Sequence, residues 1–197
     1  MILTYTECIN KYGNDYQLEK AVAEECIYRV ESGLYSTKRY SNELEIIFKK
    51  YPNAILTGEY AFYCHDLTDV IPEKYYIATK AKAAKLKDPR IVQIYMRDDL
   101  LMLGVTKKRI NGVTVKIYDK ERMLIELLRN KNTMSYDLYK EILGNYRKII
   151  ENLQIWRIQE YADIFPKSKM IWKALREEVF LIYKIHNMLF MSVERQG

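Results

Sequence analysis

Cysteine is scarce in this chain: Cys8, Cys26 and Cys64 stand far apart, odd in number and without paired spacing. That argues against a disulfide framework or a cysteine-based metal knuckle and points to reduced thiols in a cytoplasmic protein. The two histidines, His65 and His186, have no ligand spacing, so no metal is expected. Glycine is also sparse, at seven residues, with no glycine-rich loop to cradle a phosphate and no nucleophile elbow. Neither a cofactor nor enzymatic activity is expected. Long apolar runs are missing as well. The most apolar late window, "VFLIYKIHNMLF", contains Lys184 and His186 and is too short to span a bilayer. The opening "MILTYTECINKYG" has no basic segment followed by an apolar core, so it does not read as a signal peptide.

What is present is an ordinary globular composition with unevenly placed charge. Hydrophobic residues make up 49% and charged residues 29%, enough for a packed core and too little net charge for wholesale disorder. The net charge of +6 suggests a nucleic acid or an acidic partner. Residues 73–110 hold ten basic and four acidic residues and so account for the whole excess, whereas residues 1–40 hold five basic and six acidic ones.

Local patterns divide the chain in two. Residues 5–12 read as a short helix stopped by Gly13, and Asn14 or Asp15 can cap a second helix. In that helix Leu18, Ala21, Val22 and Cys26 share one face. "IYRV" and "LYS" read as strands about a turn at Gly33. The polar "KRYSN", residues 38–42, marks the expected domain boundary, giving domains 1–40 and 41–197. Beyond it come a helix stopped at Pro52, a strand at "NAILTG", a helix at "EYAFYCHDL", and strands at "YYIAT" and "RIVQIYM". "KKRI" and "VTVKIYD" flank Asn111-Gly112, the dipeptide best suited to a two-residue hairpin turn. From Asp119 the apolar period becomes helical, in stripes such as Met123, Leu124, Leu127 and Leu128, with a last helix expected from about Ser168 to Met191.

Arg122 and Glu126, four apart, read as a structural helix pair worth roughly 0.3 kcal/mol. His65 beside Cys64 suggests a catalytic pair, but adjacent helical residues diverge, and a hydrogen-bonded structural histidine is the expectation.

The stretches "YTECINKYGNDYQLEKAVAEECIYRVESGLYST", "KKYPNAILTGEYAFYCHDLTDVIPEKYYIATK" and "LGVTKKRINGVTVKIYDKERMLIELLRNKN" together resemble the AbiEi family, in that family's order. These are the antitoxins of the type IV abortive-infection toxin–antitoxin systems. "SGLYS", "AFYCHDLTDVIPEKYYIAT" and "IYDKERMLIELLR" carry the resemblance jointly. It implies an α+β protein with an N-terminal winged helix-turn-helix, then a mixed α+β antitoxin domain with a helical C-terminal half. It also implies an autorepressor that binds inverted repeats of double-stranded DNA at its own operon's promoter, a setting that suits a homodimer. The implied second partner is a cognate nucleotidyltransferase-like toxin, countered during phage defence. Many members carry a further helix ahead of the helix-turn-helix pair. This chain opens almost at the pair, so such a fold is expected to borrow core from elsewhere.

On that reading Tyr16 and Gln17 meet base edges, while Lys20 and the wing residues Arg29, Lys38 and Arg39 hold phosphates. The plain alternative is that Gln17 and Lys20 are solvated surface and Tyr16 packs on Tyr12 or the hairpin. A second basic patch, Lys80, Lys82, Lys85, Lys87 and Arg90, suits either DNA or an acidic toxin surface. The rival function is a protein-interaction module that neutralises its toxin without binding DNA.

Overall fold

The computed structural model describes residues 1–180, and every structural statement below concerns those residues. Among them the fold is mixed α+β with two sheets. The chain packs as two compact units, residues 1–54 with 108–115, and residues 55–107 with the chain from 116 on.

The first unit opens with β1 (Ile2–Thr4), α1 (Tyr5–Tyr12), α2 (Asp15–Ala23), β2 (Tyr28–Glu31), β3 (Leu34–Ser36) and α3 (Glu43–Lys50). The three strands form one antiparallel sheet in the order β1-β3-β2. Leu3 pairs with Tyr35 and Thr4 with Leu34, so alternate side chains go to opposite faces. One face, with Leu3 and Tyr35, closes over Cys8, Leu18, Ala21 and Ile27 from the α1–α2 side. The other face, with Ile2, Leu34 and the partly buried Val30, packs on Ile46 of α3. Burying a leucine as fully as Leu18 stabilises by about 1.5–3 kcal/mol.

α3 therefore belongs to the first unit, although the sequence placed it in the second. The compact boundary falls after Ala54 rather than near residue 40, because Ile46 has its apolar partners on the sheet. Cys26 differs from expectation too: α2 ends at Ala23, and Ile27, not Cys26, fills the core.

The helix ends are capped by side chains that the sequence made available. Thr4 accepts from the Glu7 amide while Glu7 accepts from the Thr4 amide, a reciprocal capping box at α1. Asn14 accepts from Gln17 N at α2, and Asn42 accepts from Leu44 N at α3.

The second unit contains β4 (Ile55–Leu56), α4 (Gly58–Cys64), β5 (Tyr75–Lys80), β6 (Ile91–Met96) and α5 (Asp98–Leu101). β7 (Val105–Ile110) and β8 (Val113–Tyr118) follow, then α6 (Lys120–Arg129), α7 (Tyr136–Ile149), α8 (Ile155–Ile164) and α9 (Ser168–Ala174). The sheet order is β6-β5-β4-β8-β7, with β5 and β6 parallel and β4 antiparallel to β5. The β7–β8 turn has Asn111 and Gly112 both at positive φ, as a two-residue hairpin requires. The outer half of this hairpin, Lys108–Val115, packs with the first unit.

α6 is buried from Glu121 to Leu128. Arg122 inside it is fully buried, so it is not the solvent-facing half of a weak helix pair. Its Nε and Nη2 donate to Glu126 Oε1, its Nη1 donates to the Leu100 and Leu103 carbonyls, and its guanidinium stacks on the Tyr118 and Phe165 rings. Asp119 caps α6 by accepting from the Arg122 amide and also accepts from the Tyr161 hydroxyl. Burial pushes the Asp119 carboxyl above its ordinary range against these bonds. After Ala174 the chain continues in wider turns to Phe180, and the remainder of the expected last helix, with His186, lies outside the described residues.

Candidate nucleic-acid interface

α2 is anchored by Leu18 and Ala21 and turns Tyr16, Gln17, Glu19 and Lys20 outward. Tyr16 is 74% exposed, so it packs on neither Tyr12 nor the hairpin. Lys20 lies 3.9 Å from Glu24, a solvated i,i+4 pair that a phosphate can readily displace. At the start of the helix Asp15 accepts from the Tyr5 hydroxyl at 2.6 Å, and that bond raises the Tyr5 pKa. α2 thus offers a polar face of mixed charge.

The six residues expected to contact DNA do not all gather. Arg29 on β2 is exposed and lies over the Tyr35 ring, 5.9 Å from its centroid, a long cation–π contact. Lys38 and Arg39 follow β3, beyond Ser36, and Ser36 pairs with Ile2 and Tyr28. They sit at the end of the sheet opposite the Ser32-Gly33 turn, a strand length of about 10 Å or more away. They are therefore not at the tip of the β2–β3 hairpin. α2 connects this end to the helix face, because residues 24–27 lead from Ala23 to Tyr28, opposite Ser36.

The connector after β3 is held by Ser36, whose buried hydroxyl accepts from Lys38 N at 2.9 Å and from Ser41 Oγ at 2.6 Å. Asn42 Nδ2 donates to the Asn111 carbonyl at 3.2 Å. A polar groove of about 630 Å³ opens here, lined by Lys38, Tyr40, Asn42, Glu45, Arg109 and Asn111 among others, all within the first unit. In the sequence Arg109 is only one charge among ten. Its position beside the Asn-Gly turn was legible, but its approach to Lys38 across 71 residues was not.

In the second unit, Lys80, Lys82, Lys85 and Lys87 are exposed and form no ion pair among the described residues. Residues 81–90 form a loop joining parallel β5 and β6, not a helix. Gln93 holds this loop, accepting from Leu86 N at 2.8 Å and donating to the Ala84 carbonyl at 3.1 Å and to Thr79 Oγ1 at 2.8 Å. Ala83 and Leu86 are partly covered, while Lys82, Lys85 and Lys87 around them face solvent. Arg90 departs from the expected patch: its Nε and Nη2 are held by the two oxygens of buried Asp88, at 2.8 and 2.6 Å.

Other candidates resolve into structural roles. His65 is buried with Nε2 2.7 Å from the Tyr118 carbonyl, the hydrogen-bonded part expected of it. A second-unit cavity of about 250 Å³, lined by Thr57, Tyr76, Met96 and Glu126 among others, falls just below the usual size of a small-molecule site. Glu59 and Glu126 both line it, and Glu126 already accepts from Arg122, Arg129 and Asn130. Among the described residues no three His, Cys, Asp or Glu side chains gather to hold a metal, and no helix is long and apolar enough to cross a membrane. No protein-family profile matches the chain, and no curated protein matches it significantly.

Proposed function

We propose that this protein is a DNA-binding autorepressor and antitoxin of the AbiEi type, with its first unit acting as a winged helix-turn-helix. The observation that carries the reading is α2, rooted in the core by Leu18 and Ala21, with Tyr16, Gln17 and Lys20 on its outer face. A helix so held can enter the major groove with Gln17 placed for adenine and Lys20 for a phosphate. The order of elements supports the reading as well: a helix–turn–helix followed by a hairpin is the order that a winged domain needs. The antitoxin half of the proposal rests on the sequence resemblance.

The test is fluorescence anisotropy of the full chain on the duplex upstream of its reading frame, against a shuffled duplex. Gln17→Ala with Lys20→Ala is expected to weaken binding to the native duplex about tenfold or more and the shuffled one less. Unchanged affinity in the folded double variant removes α2 as the reader.

One observation favours a second reading, a protein-interaction module. Four exposed lysines, Lys80 at the end of β5 and Lys82, Lys85 and Lys87 in the loop after it, give the second unit a local excess of positive charge, suited to an acidic toxin face. Changing Lys82, Lys85 and Lys87 to Glu separates the two uses. Loss of toxin rescue with an unaltered salt slope of DNA binding assigns the loop to the toxin.

A further inference from the structure

Lys108 apart, the lysine and arginine side chains of the first unit fall into two groups. Those on the helices and β2 are engaged: Lys49 with Glu7 at 2.7 Å, Lys50 with Glu31 at 2.9 Å, Lys20 with Glu24, Lys11 over the Tyr12 ring and Arg29 over the Tyr35 ring. Lys38, Arg39 and Arg109 are exposed and have no acidic partner among the described residues. All three lie at the same end of the unit, Lys38 and Arg109 in one groove and Arg39 beside it. Glu45, the acid of that groove, turns Oε1 to the Ile2 amide at 3.2 Å.

From this segregation we infer that the groove between the 37–42 connector and the β7–β8 tip is a second DNA-binding element, in which Lys38 and Arg109 hold the sugar–phosphate backbone. The inference rests on the DNA-binding reading above and adds an element to it, the hairpin tip, from residues about 70 positions further along the chain. The chemistry fits a polymer better than a small anion. The cations are solvent-facing and do not converge in a buried cradle, so binding gains from counterion release along a charged strand. Around them stand short hydrogen-bonding groups, Ser41, Asn42, Asn111 and Thr114, of the kind that meet phosphate and sugar without reading sequence. Tyr40, 87% exposed on the same connector, adds a flat face for a sugar. The hydrogen bond from Asn42 to Asn111 holds both walls in register.

The test uses the full chain with native and shuffled duplexes over a range of salt. Lys38→Ala with Arg109→Ala is expected to weaken both duplexes equally and to reduce the salt slope by about two, one for each phosphate that is no longer neutralised. Lys38→Arg with Arg109→Lys keeps the slope. Both side chains are exposed, so an unaltered melting temperature confirms that the fold is retained. An unchanged slope in the alanine pair, with Gln17→Ala/Lys20→Ala still impaired, overturns the groove and leaves α2 standing. A changed slope with no effect at Gln17 and Lys20 supports the groove and overturns α2. Absence of binding by the native protein to any duplex overturns both.

Discussion

Asn42 uses both ends of its amide: Oδ1 accepts the Leu44 N–H at 2.9 Å and caps α3, while Nδ2 donates to the Asn111 carbonyl at 3.2 Å. One side chain thereby starts the helix that covers the first sheet and holds the hairpin tip. Asn42→Ser keeps a good cap and loses the long amide donor, so stability should stay within a few tenths of a kcal/mol. Amide exchange at Asn111 and Gly112 should quicken. Asn42→Ala should show the same faster exchange and lose about 1 kcal/mol as well. Hydrogen exchange together with urea unfolding separates the two effects, and equal exchange in all three proteins would show that the tip is held by other interactions.

The buried Arg122 predicts a larger loss. Arg122→Met removes the donor for Glu126 and for two carbonyls, while Arg129 and Asn130 still approach Glu126 Oε2. Breaking a buried pair from one side costs about 3–5 kcal/mol, and the remaining partners place this one near the lower end. Arg122→Met with Glu126→Leu should recover part of the loss, because the uncompensated carboxylate is then gone. Urea unfolding measures both. A single-variant cost below about 1 kcal/mol would mean that the guanidinium is not desolvated.

The features that the sequence made legible are those governed by neighbours in the chain. Asn111-Gly112 specified its turn, Gly13 its helix stop, and Asn14 its cap, because each acts over a few residues. Three-residue β1 escaped notice, since Ile2–Thr4 is too short to show alternation. The apolar face of α3 was visible in Leu44, Ile46 and Ile47, but a face does not name the surface it will cover. Arg122 and Glu126 have the same spacing whether exposed or buried. Only their place in the run Glu121–Leu128, buried throughout, distinguishes the cases. The candidate site divides in the same way. Tyr16, Gln17 and Lys20 were readable from the helical period of α2, whereas the joining of Lys38 to Arg109 needed the tertiary fold.

Gly104 gives a backbone prediction. It sits at φ +71, and a Cβ there would lie 2.7 Å from Arg122 Cβ and 3.2 Å from Asp119 Oδ1. Gly104→Ala must therefore bear a left-handed conformation, about 1–2 kcal/mol, and displace the Arg122 stem as well. A loss of at least about 2 kcal/mol in urea unfolding is expected. Alanine tolerated within about 0.5 kcal/mol would mean that α6 moves freely against this turn.

Glu7 sets a pH dependence for the first unit. Its carboxylate receives Lys49 Nζ at 2.7 Å and the Thr4 amide at 2.7 Å, and the lysine, followed by the amide, holds its pKa at about 2 against an ordinary 4.5. The folded value lies below the unfolded one, so this contribution is fully present above pH 4.5 and is lost as pH falls through about 2. The pair is solvated, which keeps the contribution small and sensitive to salt. Lys49→Met should raise the Glu7 pKa but leave it below the ordinary value, because the Thr4 amide still donates. Carboxyl-detected NMR titration of the full chain reads this directly. A Glu7 titration unmoved by Lys49→Met would show that the capping box alone, not the lysine on α3, holds the carboxylate ionised.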